Sequence, residues 1–350
     1  MDKILSVIVP AYNMDKYLDR CLSSLILDHD RMKLLEVIVV NDGSTDKSSY
    51  IAHGYQHSYQ QTYVVIDKDN GNYGSCINAA LKVATGMYIK ILDADDFFDT
   101  AGLSTLIDAL VRDEGQSDMV MTNVRYVDES GCKCGDLSYN VSAGRIFTIE
   151  NIDDDTVKKL HMHSLTYKLS VLEKINYHQT EGISYTDLEW TYYPVAAVDY
   201  VMYINSVVYV YNTSREGQTT SVAKHCRDMW METGIIERML ENYRYSNCYD
   251  NTAQHIYMSQ KLYYYVEQIY NYYLLSYPRY LSQKDLREFD KSVRNCPDIY
   301  SLIKNTRTYI HRLGYVDYVA KWQERQSRWS FFFLFHDLQE SASRLYHKMF

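Results

Sequence analysis

Tyr88-Ile89-Lys90-Ile91-Leu92-Asp93-Ala94-Asp95-Asp96 is an apolar run of strand length that ends in three carboxylates within four residues. Carboxylates this crowded repel one another unless a cation or hydrogen-bond donors compensate them. An Asp-x-Asp pair after a buried strand can hold a hard divalent cation through one carboxylate while the other orients a ribose or sugar, the cation bridging diphosphate oxygens. A solvated acidic turn is the plainer alternative. Moving outward, Leu5 to Pro10, Leu35 to Asn41 and Tyr63 to Asp67 are further short runs rich in β-branched residues. Helical patterns separate them: Lys16 to Leu27, with Tyr17, Leu18, Cys21, Leu22 and Leu25 on one side, then Ser44 to Tyr59 and Ser75 to Ala84. This alternation predicts an α/β fold, a parallel sheet covered by helices on both faces. Ligands of such sheets bind beyond the carboxyl ends of the strands, so the strand-to-loop junctions carry the chemistry.

After Asp96 the rhythm loosens through a helix near Ala101 to Asp113, a strand near Asp118 to Tyr126, a turn-rich stretch from Gly131 to Gly144 and strand-like residues from Tyr200 to Tyr211. From about Ala223 the pattern is almost wholly helical. Leu262, Val266, Ile269 and Tyr273 recur at helical spacing, as do Phe331, Phe335, Leu338, Ala342, Leu345 and Met349. Two domains are therefore expected, 1–222 and a helical 223–350. The second stripe, flanked by Arg328, Arg344 and Lys348, is expected to meet a membrane surface or a second copy of the chain, with packing inside the chain as the alternative.

The 350 residues are 46% hydrophobic, enough for a sizeable core, and carry 36 basic against 45 acidic side chains, a net charge of −9. That balance argues against a nucleic-acid partner held by phosphate contacts. Residues 279–350 contain 13 Lys+Arg and 8 Asp+Glu, net +5, so the rest carries −14. Seven cysteines with scattered spacing fit a reducing cytosol, and Cys132-x-Cys134 lacks the partners of a zinc site. Met1 to Asn13 reads as a strand, and no run approaches the ~20 apolar residues that span a bilayer. A cytoplasmic protein is expected, with a peripheral place at the inner face of the cell membrane. Tyrosine is the compositional anomaly, 36 residues; its ring and hydroxyl suit sugar contacts, although helix packing is the commoner use.

Asp42, at the end of the second strand, can accept from a base N–H or ribose hydroxyls, or can simply form a turn with Ser44. Asn70-Gly71-Asn72-Tyr73-Gly74-Ser75 precedes a helix, and its glycines allow close backbone approach, yet it matches neither the dinucleotide nor the P-loop fingerprint. His161 and His163 share one face if extended and are candidates for a metal or acceptor contact, against a packing role.

In this order and spacing the pieces resemble the family 2 glycosyltransferases, nucleotide-sugar enzymes of the GT-A fold. Ser6 to Asn13, Val39 to Asp46, Asn70 to Asn78, Thr85 to Asp96 and Tyr185 to Trp190 carry the resemblance, which covers roughly residues 4–222. It implies a Rossmann-like mixed sheet flanked by helices, followed here by the mainly α-helical C-terminal region. Pro10, Ala11, Tyr12, Asp42 and Asn72 would line the nucleotide pocket, with uridine diphosphate the usual carrier. Asp93 and Ala94 would lie against the ribose or donor sugar, Asp95 would hold Mn²⁺ or Mg²⁺, and Asp96 would shape the loop. Asp187 matches the base that deprotonates the acceptor hydroxyl in an inverting displacement, while Thr186 stands where the family has a glutamate. Arg215 matches, more loosely, a residue that folds over the diphosphate. Processive members carry Gln-x-x-Arg-Trp and membrane spans; Gln326-Ser327-Arg328-Trp329 is one residue short and far from Asp187, so one sugar per event is expected. The acceptor would be a saccharide or lipid-linked saccharide of cell-surface polysaccharide or glycolipid assembly. A nucleotidyltransferase would want a Gly-rich basic loop where Pro10-Ala11-Tyr12-Asn13 stands, and a non-catalytic scaffold would not need four such aspartates.

Overall fold

The computed structural model describes residues 3–128, 130–213, 222–245, 252–310, 314–328, 333 and 336–337. β1 (Leu5–Ala11), β2 (Leu35–Asp42), β3 (Tyr63–Lys68) and β4 (Tyr88–Ile91) are parallel and stand in the spatial order β3-β2-β1-β4. Every residue of β1 and β2 is buried, as continuous apolar strands must be when helices cover both faces. On one face Leu5, Val7 and Val9 pack with Leu18, Leu22, Ala52, Leu103 and Leu106. On the other, the helix Asn72–Leu81 lies on β1 and β2. Pro10 is tolerated in this central strand because pairing with β4 stops at Ile8↔Ile91, before the missing N–H would be needed.

The chain runs outward from β1 to β3 and returns to β4 on the other side of β1. That reversal opens a crevice beyond the carboxyl ends of β1 and β4, and the two segments that border it are Pro10–Asn13 and Leu92–Asp96.

Past β4 the alternation no longer describes the sheet. β5 (Phe97–Phe98), β6 (Met119–Val127), β7 (Lys133–Leu137), β8 (Ile146–Thr148), β9 (Leu165–Lys168) and β10 (Tyr200–Asn212) extend it as β4-β9-β6-β10-β5, with β7 on β6 and β8 on β10. β9 is antiparallel to both neighbours while β6 and β10 are parallel, so the sheet is mixed, as in GT-A folds, rather than parallel throughout. The turn-rich residues 131–144 contribute β7. Among the described residues after 223 the regular structure is helical except for β11 (Thr308–Ile310) and β12 (Gly314–Val316), which pair antiparallel.

An antiparallel β9 brings its beginning, not its end, to the carboxyl edge of β4. The 3₁₀ turn Met162–Ser164 that precedes it is thereby carried to Asp93, and Lys90 fastens it. Lys90 is fully buried, and its Nζ donates to the carbonyls of His163 (2.9 Å) and Leu165 (3.2 Å). Burial pushes its pKa down to about 7. Between that value and the unfolded value near 10.5, the unfolded chain holds a proton that the folded one releases. Stability should therefore rise with pH over this window relative to Lys90→Met, by at most about 1.4 kcal/mol per pH unit. Denaturant unfolding of both proteins from pH 7 to 10 measures it, and parallel pH profiles would refute it.

The chain divides into two units, Met1–Thr219 with Thr252–Tyr257, and Thr220–Asn251 with Met258–Phe350. In the second, Leu262, Val266, Ile269 and Tyr273 are all buried, as their spacing predicts. Its interior contains a satisfied carboxylate: Asp290 accepts from Tyr270 Oη, Arg294 Nε and Gln323 Nε2. The stripe residues Phe331, Phe335, Leu338, Ala342, Leu345 and Met349, and with them the expected membrane or self-association face, lie outside the described residues.

Candidate active site

The acidic turn is built by donors from four directions. Asp96, 1% exposed, accepts from Tyr209 Oη (2.7 Å) and the Asn212 amide (2.7 Å), both on β10. Its carboxyl is held well above the usual range, first by burial and then by the charges of Asp95 and Asp93. Asp93, half-buried, accepts from Tyr73 Oη at Oδ1 (2.8 Å), its amide donates to Tyr209 Oη (3.2 Å), and its Oδ2 faces His163 Nε2 at 3.8 Å. Arg20 Nη2 donates to the Asp95 carbonyl (3.0 Å) and fixes the turn's backbone from the helix Leu18–Ser23. Ala94 is buried beneath the turn and Asp95 half-buried at its tip.

One atom from each of Asp93, Asp96 and His163 lies within 4.8 Å of the others, a donor set that fits a divalent cation. Asp95, the expected ligand, belongs to the same turn but not to that set. Both Asp96 oxygens already take protein donors, so Asp96 shapes the loop.

Asp42 is 3% exposed, and its oxygens accept from Lys68 Nζ (2.6 Å), the Gly71 amide (3.0 Å) and the Asn72 amide (2.9 Å). It is thus the anion at the N-terminus of the helix Asn72–Leu81, where a carboxylate complements the dipole. Asn72 takes a left-handed backbone (φ 68°), which asparagine tolerates. Pro10 and Ala11 are buried at the end of β1, and Tyr12 follows them with 48% exposure. The loops after β1 and β2 are stitched together by Asn13, whose Oδ1 accepts from the Thr45 amide (2.8 Å) and whose amide donates to Ser44 Oγ (3.0 Å).

Asp187 opens the short helix Asp187–Trp190, half-buried. The residue two before it, Tyr185, has φ 66°, a strained value for an aromatic. Glu189, 2% exposed, accepts from both the amide and the hydroxyl of Thr180 (2.7 Å each), and Gln179 Nε2 donates to buried Thr186 Oγ1 (3.0 Å). Asp187 lies close enough to Tyr73 and Tyr211 for its charge, with those of Asp93 and neighbours, to add to the burial that raises both phenols.

This loop is pressed against Gly74, where a Cβ would stand 2.0 Å from the Thr180 carbonyl oxygen. Gly74→Ala should therefore displace residues 179–182, costing about 1–3 kcal/mol of stability and lowering turnover. Denaturant midpoints and initial rates test this, and wild-type values in both would refute it.

Tyr73, Tyr126, Tyr209, Tyr211 and Lys68 were not named as site residues from the sequence; the tyrosine excess was a signal for the four tyrosines, Tyr73 lay in the Asn70–Ser75 stretch, and nothing marked Lys68. Tyr126 Oη and His161 Nε2 are 2.9 Å apart, as are His161 Nδ1 and His163 Nδ1. Arg215 lies outside the described residues.

A mixed sheet of this strand order, with an acidic turn at its switch point, is the arrangement of the GT-A fold. The family model for glycosyl transferase family 2 matches residues 6–175, just under half of the chain. Among its relatives, the glycosyltransferase GlyA of Streptococcus pneumoniae is 27% identical over 250 residues, 69% of this chain and 34% of that protein. Glycosyltransferase GlyG of the same organism is 31% identical over 152 residues, 43% of this chain and 48% of that one. The chain spans 32% to 34% of the length of the first relatives it matches. The crystal structure of S. aureus TarS 1-349 in complex with UDP-GlcNAc shares the fold, with a TM-score of 0.53 at 18% identity over 88% of this chain and 95% of that one.

Proposed function

We propose that the protein is an inverting glycosyltransferase that moves one sugar from a nucleotide sugar, a UDP-sugar first among them, to a hydroxyl of a saccharide or lipid-linked saccharide. The observation that carries the reading is the position of Tyr73, whose hydroxyl binds Asp93 and lies in the field of Asp187. The donor-side carboxylate thus touches Tyr73, and the charge of the acceptor-side carboxylate adds to the burial that raises the same phenol. The uridine would lie along Pro10, Ala11 and Tyr12, with Asp42 holding the Asn72 helix behind it, and the ribose or sugar against Asp93. Mn²⁺ or Mg²⁺, held through Asp95 beside Asp93, would supply positive charge to the diphosphate leaving group.

Asp187 would take the proton of the acceptor hydroxyl as the new bond forms. Glu189, the other carboxylate of that helix, is committed to Thr180 and keeps the loop in place. GlyA and GlyG are both named glycosyltransferases, which supports the transfer of a sugar, and the TarS structure holds UDP-GlcNAc, which supports the donor class. No helix among the described residues is long and apolar enough to cross a membrane. We place the protein in the cytoplasm, acting at the inner face of the membrane in cell-surface polysaccharide or glycolipid assembly. A panel of UDP-, GDP- and dTDP-sugars with Mn²⁺, scored by nucleotide release with and without saccharide acceptors, tests the reading. Release from none of them would overturn it.

A further inference from the structure

We propose that His163 Nε2 is a nitrogen ligand of the divalent cation at the acidic turn, opposite Asp93 Oδ2, and that His161 is the positioning residue that fixes its tautomer. The site would then prefer Mn²⁺ to Mg²⁺. The inference rests on the reading of this turn as a cation site and adds to it an imidazole from the turn before β9.

The first argument is distance. His163 Nε2 stands 3.8 Å from Asp93 Oδ2, too far for a hydrogen bond. Two ligand atoms that share a cation through bonds of about 2.0–2.2 Å stand about 3–4 Å apart, so the gap has the width of a shared ion. Asp93 Oδ1 is taken by Tyr73, which leaves Oδ2 as the oxygen turned to the imidazole.

The second argument is proton placement. His163 Nδ1 and His161 Nδ1 are 2.9 Å apart, so one ring must donate and the other accept. If His163 carries its proton on Nδ1, it donates to His161 Nδ1. His161 then carries its own proton on Nε2 and donates to Tyr126 Oη, 2.9 Å away. The His163–His161 and His161–Tyr126 contacts are then both satisfied, and the lone pair of His163 Nε2 is left on the side of Asp93. The opposite arrangement would put a proton on Nε2, where the Asp93 oxygen is out of hydrogen-bond reach. Metal-bound histidines regularly donate their second N–H to a fixed acceptor, and here that acceptor is a second histidine.

The ring is also held rigidly. His163 packs edge-on against Tyr209 and Tyr211, with centroids 4.6 and 4.9 Å away, and Lys90 binds its carbonyl. A cation-preference effect follows because Mg²⁺ favours oxygen ligands and sheds its waters reluctantly, whereas Mn²⁺ accepts imidazole more readily.

MnCl₂ titrated into the full chain, read by the EPR signal of free Mn²⁺ and competed with MgCl₂, tests the proposal without reference to activity. Wild type should hold Mn²⁺ at least about tenfold more tightly than Mg²⁺, and His163→Gln should bring the ratio toward one. His161→Phe should weaken Mn²⁺ about 10–100-fold, while His161→Gln, whose oxygen can still accept from Nδ1, should retain most of the affinity. Pulsed EPR of Mn²⁺-loaded wild type should show coupling to a nitrogen nucleus, a measurement that needs no variant. Bound Mn²⁺ without nitrogen coupling, or an unchanged Mn²⁺/Mg²⁺ ratio in folded His163→Gln, would overturn the inference and leave the cation reading intact. Wild type that binds neither ion would overturn both.

Discussion

Asp187→Asn should lower sugar transfer by a factor on the order of 10²–10⁴ while leaving donor affinity and melting temperature nearly unchanged. A sugar hydroxyl is a poor nucleophile near neutral pH, and the carboxylate is the part of the side chain that can take its proton. Asparagine keeps the shape and much of the capacity to complement the N-terminus of the helix Asp187–Trp190, so a purely structural aspartate would tolerate the change. Glu189 supplies the control. Its two oxygens serve Thr180, and Glu189→Gln should loosen the loop and lower the melting temperature rather than remove the base. Single-turnover transfer rates, with donor binding measured by calorimetry, separate these outcomes. Near wild-type transfer by Asp187→Asn, or a selective loss of transfer in a fully stable Glu189→Gln, would show that Asp187 is not the base.

The second large effect is expected at Asp95. Asp95→Asn should abolish turnover and weaken metal-dependent nucleotide binding without unfolding the protein, and excess chelator should do the same to wild type. The crowding of the turn is the reason. Tyr209 and the Asn212 amide compensate Asp96, and even so burial and the charges of Asp95 and Asp93 hold its carboxyl well above the usual range. A turn that keeps three carboxylates this close is relieved by a cation. Removing one carboxylate should relax that repulsion, so stability should hold while the affinity for the ion falls. Nucleotide titrations with and without MnCl₂ read the coupling directly. Full activity in excess chelator would refute metal dependence, and an Asp95→Asn protein with wild-type turnover would refute the assignment of the ligand.

The fold explains why each carboxylate is where it is. Asp95 follows a strand whose register is set by β1. Asp187 follows a loop held locally by the Thr180–Glu189 hydrogen bonds and, across about a hundred residues of chain, by the close approach of Thr180 to Gly74.

Periodicity located β1 to β4 and three of the helices between them, which leave a local trace in residue type, but not the six-residue helix His29–Leu34, which buries only Met32. The same trace placed Asp42 and the acidic turn at strand ends. It could not say what Asp42 holds: its partners Lys68, Gly71 and Asn72 lie 26 to 30 residues away and are brought to it by the β2–β3 pairing. Nor could the pattern say that β9 runs antiparallel to β4, since a four-residue strand reads the same in either direction. That direction decides which end of β9 reaches Asp93, and hence that His161 and His163 stand beside the acidic turn instead of at the far edge of the sheet. The tyrosine excess was visible as a count. Only the bulged pairing of β10 with β6 brought Tyr209 and Tyr211 to Asp96 and His163, because strand register is set by long-range hydrogen bonding that neighbouring residues do not encode.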